Sequence, residues 1–192
     1  MKVILGAALT AALALGFTQP AAAKKKFSFK LAASSSTCAP GAAGTVTITP
    51  KGANQKLRVK VWNLPENTDF DLFVIQVPEV PFGLSWYQGD IETNGKGRGS
   101  GTFVGIFSKE TFTVAPGVAP APVVFDDNAD SNPATAPVQM YHLGLWFNSP
   151  EDAAKAGCPD LVTPFNGEHK AGVQVLNTSN FPDLKGPLRR IR

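Results

Sequence analysis

The segment KLRVKVWN, residues 56 to 63, sets Leu57, Val59 and Val61 on one side of the chain and Lys56, Arg58, Lys60 and Trp62 on the other. An apolar residue at every second position fits a pleated strand, whose side chains alternate, and does not fit the three-to-four spacing of a helical stripe. One face of this strand therefore meets a core and the other meets water. FDLFVIQV, residues 70 to 77, is apolar on both faces toward its C-terminal half, which suits a strand in the middle of a sheet. Further strands are predicted at 27–32, 45–49, 84–92, 98–107, 111–114, 121–125, 138–147 and 171–177. Short strands separated by Gly, Pro and Asn turns predict an all-β chain, arranged as a single antiparallel β-sandwich.

One short helix is expected near 149–157. Ser149 stands as N-cap, Pro150 opens the first turn, Glu151 and Asp152 face its positive end, and Gly157 occupies the place of a C-terminal cap. Cys158 follows at once, so the helix is expected to aim it at Cys38, the other of the two cysteines. In an oxidising compartment one disulfide is the default, and closing about 120 residues contributes roughly 4 to 5 kcal/mol through the unfolded chain. The Pro- and Ala-rich stretch at 115–137 predicts a long irregular loop.

The first residues, MKVILGAALTAALALGFTQPAAA, carry one Lys, an apolar run and a small-residue end, the pattern of a secretory signal peptide over 1–23. The apolar run of about 15 residues is short of the ~20 that cross a bilayer. The mature protein, residues 24–192, is thus expected to be one exported domain, secreted or periplasmic, with no membrane span after signal removal. Removing Lys2 leaves 17 basic against 15 acidic side chains, a balance that argues against nucleic acid as partner. Cations are absent from Val61 to Gly95 and from Glu110 to Ala154, so the middle of the chain is acidic and both ends are basic.

Within NLPENTDFDLFVIQV and GDIETNGKGRGSGTF, an Asn-Leu-Pro corner leads into a long apolar strand, and an acidic strand then turns through a glycine-rich hairpin. This order resembles exported bacterial β-sandwich domains of the Ig-like kind over about a third of the chain. The resemblance implies the sandwich and no activity. The glycines at 95, 97, 99 and 101 match neither the P-loop spacing nor the dinucleotide fingerprint. Asn94 and Gly95 instead suit the centre of a type I′ hairpin turn, after which Gly97, Gly99 and Gly101 share one strand face. Bare backbone requires a cover, expected from Trp86 and Tyr87 on the partner strand; the alternative is an open face that accepts a flat ligand such as a sugar.

Other candidates are few. Asp126, Asn128, Asp130 and Asn132 have the alternate spacing of a calcium loop, with Ser131 where an EF-hand has Gly and Pro137 where it has Glu; the alternative is a solvated acidic loop. In MYHLGLWF, residues 140–147, His142, Gly144 and Trp146 share the face opposite the presumed core. With Trp62, Trp86 and Tyr87 they define an aromatic platform of the sort that binds sugars, unless loops or a second layer cover them. Two histidines, His142 and His169, are too few for a His-rich metal site, and GRGSG lacks the spacing of a serine-nucleophile elbow. Asp90 with Glu92, or Glu79 with either, could serve a glycosidase. Asn177 begins a glycosylation sequon that matters only in a eukaryotic host. The leading expectation is a non-enzymatic exported protein that recognises a protein or glycan at the cell surface or builds the envelope or matrix. A carbohydrate-binding module is second, and a carboxylate-dependent hydrolase third.

Overall fold

A computed structural model describes residues 25–80, 82–110, 138–163 and 170–191. The strands are β1 (Phe27–Ala33), β2 (Ala43–Lys51), β3 (Asn54–Trp62), β4 (Asp69–Ile75), β5 (Ser85–Glu92), β6 (Gly99–Gly105), β7 (Lys109–Glu110), β8 (Val138–Gln139), β9 (His142–Phe147) and β10 (Gln174–Asn177). The helix α1 (Pro150–Lys155) lies between β9 and β10. The predicted strands at 111–114 and 121–125, the loop at 115–137, the signal segment 1–23 and the calcium candidate at 126–132 lie outside the described residues.

All the described pairings are antiparallel. Eight strands form one sheet in the order β5-β4-β9-β10-β1-β2-β3-β6, while β7 and β8 pair separately. The expected sandwich of two sheets gives way to this single curled one, and β1 is the reason. Its residues Phe27 to Leu31 pair with β2, and its last two, Ala32 and Ala33, pair with Asn177 and Leu176 of β10. One strand thereby carries the ladder from one half of the molecule into the other. At the far ends of the order, β5 and β6 meet again through a bridge between Thr93 and Gly99, so the sheet is nearly closed like a barrel.

The alternation read in KLRVKVWN holds along β3. Leu57, Val59 and Val61 are buried, and Lys56, Arg58 and Lys60 are exposed. With Val46 and Ile48 of β2 they pack against Phe70, Leu72, Val74, Leu143, Leu145 and Phe147 from the other half of the sheet. The outer face of β4 and β9 is buried too, and there Phe73, Ile75, Trp146 and Ala171 form a second cluster beneath Phe82. This double burial is what the two-sided apolar run at 70–77 requires.

The glycine stretch differs from expectation in two respects. The turn is not type I′: Asn94 accepts from Gly97 N–H at 2.9 Å, and its own N–H donates to Arg98 O at 2.9 Å. Its side-chain oxygen accepts from the N–H of Lys96 at 2.9 Å and of Arg98 at 3.2 Å. Only Gly97 is left-handed, at φ 61°, as in a longer loop closed by a glycine bulge. Contact from outside the hairpin also requires glycine there, since a Cβ on Gly97 would collide with the carbonyl oxygen of Leu64. The cover of the glycine face also differs. Phe103 and Ile91 fill it, with Cβ atoms at Gly101 and Gly89 falling 2.7 and 2.6 Å from the Phe103 ring. Trp86 packs on the main core, and Tyr87 stacks edge-on against Phe73 at 5.8 Å. Both sit at the end of β5 away from the turn, because Trp86 pairs with Val74 and Tyr87 with Phe73.

The helix forms as its caps dictate. Ser149 Oγ accepts from Asp152 N–H at 3.1 Å and donates to its carboxylate at 2.8 Å. At the other end Gly157 N–H reaches Ala154 O and Cys158 N–H reaches Ala153 O, each at 2.9 Å, the paired bonds of a Schellman motif. That motif turns Cys158 back toward the β1–β2 loop, where it joins Cys38 with a Cα–Cα distance of 4.8 Å.

Two outcomes follow. Replacing both Cys38 and Cys158 with Ala should lower unfolding stability by about 4 to 5 kcal/mol, read from denaturant midpoints of the oxidised protein and the variant. Gly97→Ala should cost at least about 1 to 3 kcal/mol, since it combines a disfavoured φ with a collision against backbone, whereas Gly95→Ala should cost far less in the same measurement.

Candidate functional site

The curl of the sheet brings β3 and β6 beside β5 and leaves a groove of about 980 Å³ over the seam. Alternation determines what enters it. On one wall Lys60 and Trp62 leave β3 outward and Ser100 leaves β6 outward, while Asp90 and Glu92 leave β5 outward on the other. The hairpin closes one end with Asn94 and Arg98. Cations and hydroxyl thus face carboxylates across the groove, and all six of the polar side chains named here are exposed.

Trp62 is half-buried at the end of β3, and its indole N–H has no hydrogen-bond partner among the described residues. Asp90 accepts the Tyr87 hydroxyl at 2.6 Å, which fixes the carboxylate at the groove wall. Glu92 stands two residues further along the same strand and the same face. Glu79 lies in the loop at the opposite end of the β4–β5 hairpin and does not join them. The groove therefore unites Trp62 with carboxylates that the sequence offered separately. Lys60, Asn94, Arg98 and Ser100 were not among the expected site residues. Their alternation was legible, and so was the hairpin that sets β6 beside β5, but the adjacency of β3 to β6 was not.

The other expected platform residues lie elsewhere. Trp146 is fully buried between Phe73 and Phe82, with ring centroids at 5.3 and 5.2 Å, and its indole lies over Gly144. Trp86 is partly buried on the core, with its N–H 3.4 Å from Gln88 Oε1. Faces were assigned correctly in MYHLGLWF, but the outer face is covered by a second layer. Asn177, the sequon residue, is also buried, and its amide donates to Gln174 Oε1 at 2.8 Å and to Pro78 O at 3.3 Å. A glycan has no access to it in the folded protein.

His142 is buried in the same layer. Its Nε2 lies 2.7 Å from Asp183 O, a carbonyl that only accepts, so Nε2 carries the proton. Nδ1 then accepts from the Thr178 hydroxyl at 2.8 Å, and Thr178 Oγ1 in turn accepts from Leu143 N–H at 3.2 Å. The imidazole ties the segment around Asp183–Lys185 to the sheet, a structural role. Burial lowers its pKa below 6.5, partly offset by the Asp183 and Pro182 carbonyls and the Asp183 carboxylate. Among the described residues no group of three His, Cys, Asp or Glu side chains is placed to hold a metal ion. Nor is any described helix long and apolar enough to cross a membrane.

Comparison with protein families, with curated proteins and with solved structures finds no match to this chain.

Because folding lowers the His142 pKa, the unfolded chain takes up its proton first as the pH falls through 6.5. The contribution is complete above that pH and is lost below it, with a limiting slope of about 1.4 kcal/mol per pH unit. Denaturant midpoints followed from pH 7.5 to 5 should fall below pH 6.5, and His142→Gln should flatten that part of the profile.

Proposed function

We propose that this is an exported, non-enzymatic recognition protein whose groove holds a carbohydrate. The observation that carries the reading is Trp62, an aromatic face with an unengaged N–H, set in one groove with carboxylates, cations and an amide. A pyranose offers an apolar C–H face to an indole and paired hydroxyls to carboxylate, guanidinium and amide groups. Its many neutral hydroxyls can bond to both the basic and the acidic wall. Export is supported by the leader-like N-terminus, and the Cys38–Cys158 disulfide is compatible with an oxidising periplasmic or extracellular setting.

A binding role suits the groove better than hydrolysis does. Glycosidases set two carboxyl groups on opposite sides of the scissile bond. Asp90 and Glu92 project from one face of β5 and so share one wall.

A glycan array on the purified protein, followed by calorimetry with the best oligosaccharide, tests the reading. Trp62→Ala and the pair Asp90→Asn with Glu92→Gln should each weaken binding at least about tenfold, equal to ~1.4 kcal/mol. No binding across the array, or full binding by both variants, would overturn the proposal; release of new reducing ends would favour the hydrolase.

A further inference from the structure

The half of the sheet made by β1, β2, β3 and β6 contains no Asp or Glu in any strand, yet carries Lys30, Lys51, Lys56, Arg58 and Lys60. The carboxylates gather on the other half, as Asp69 and Asp71 on β4 and Asp90 and Glu92 on β5. Register shows how unbalanced the basic face is. Lys60 lies between Thr45 and Ser100, Arg58 between Thr47 and Thr102, and Lys56 between Thr49 and Val104. Lys30 also faces Thr45, from β1. The cross-strand places where a sheet usually sets an opposite charge hold hydroxyls instead. None of Lys30, Lys56, Arg58 and Lys60 pairs with a carboxylate among the described residues.

Successive cations on β3 stand about 6.5 to 7 Å apart, and Lys30 stands about 10 Å from Lys60 across β2. These separations are at or within the Debye length of about 10 Å at 0.1 M salt, so the cations repel one another. The face is also dished. A depression of about 470 Å³ runs along the β2 threonines and the β3 cations, with Lys26 at one end and Trp62 at the other.

We infer that this face is a docking surface for an acidic polysaccharide, a chain of sugars bearing carboxylates. Its carboxylates meet the ammonium and guanidinium rows, its hydroxyls meet Thr45, Thr47 and Thr49, and one ring stacks on Trp62. The features of the other polyanion surfaces are absent here. Among the described residues the face is a shallow depression with no protruding element for a duplex groove, and Trp62 is the aromatic residue that lines it. The exposed apolar residues at the β6 end of the face among the described residues are Val104 and Ile106, a pair too small to enter a bilayer as an amphipathic helix does. The inference uses different side chains from the groove reading, apart from Lys60 and Trp62, and stands without it.

Binding to polygalacturonate, neutral dextran, duplex DNA and phosphatidylglycerol vesicles, each measured by calorimetry on the purified protein, tests the inference. Polygalacturonate should bind at low salt and weaken at least about tenfold as the ionic strength rises from 0.02 to 0.2 M, as screening requires. Lys56→Glu with Arg58→Glu should abolish that binding. Lys56→Thr with Arg58→Thr, which keeps β-branched residues on the strand, should weaken it at least about tenfold even where charge reversal impairs folding. The inference is overturned by no binding to polygalacturonate, by equal binding to dextran, or by DNA or vesicles binding as tightly. It is equally overturned by a folded Lys56→Thr, Arg58→Thr variant that binds as the parent does.

Discussion

The outermost strands of the sheet, joined by the turn at 93–98, close tightly on each other around one aromatic ring, Phe103, which has glycine on both sides of it. A side chain at Gly89 or at Gly101 would run into the ring, and one at Gly99 would strike the Glu92 carbonyl. With those positions bare, β5 and β6 close to a single bridge at Thr93 and Gly99, and Ile91 completes the fill. Everything above the seam depends on that approach. Without it Lys60, Trp62 and Ser100 would belong to one surface and Asp90 and Glu92 to another, and no groove would unite them.

The two halves of the sheet divide the electrostatic labour as well as the packing. The half led by β3 is polar and cationic outside, so its strands read as a clean alternation. The half led by β4 and β9 is buried on both faces, which moves Trp146 and His142 inward. A groove lined by both signs at the junction and a uniformly basic face beyond it are two consequences of one segregation. They predict different ligand chemistry: hydroxyl-rich and neutral at the junction, carboxylate-bearing on the face.

Strand positions were legible because burial on one side imprints period two on the sequence, as in β3, and burial on both sides imprints a continuous apolar run, as in β4. The helix was legible because Ser149, Pro150 and Gly157 act locally. What escaped sequence reasoning depended on distant partners. Gly97 has no room for a side chain because the Leu64 carbonyl lies against it, and nothing in the hairpin itself records that contact. The covering of Trp146 rests on Phe73, Phe82 and Ala171, drawn from separate stretches of chain. The curl itself rests on β1 passing from β2 to β10, which alternation alone cannot reveal, because either a closed or a split sheet gives the same pattern.

The placement of β10 bears on the order of assembly. This strand, residues 174–177, sits between β9 and β1 although it follows both in the sequence, so a later piece separates two earlier ones. Until it is in place, β1 and β9 each present an unpaired edge, and the ladder between the two halves is interrupted. A chain that lacks β10 can form the β2–β3 and β4–β5 hairpins, but not the joined sheet. Before β10 is added the two halves are linked only at the β5–β6 seam, and it is in that interval that the molecule is most exposed to edge-to-edge aggregation.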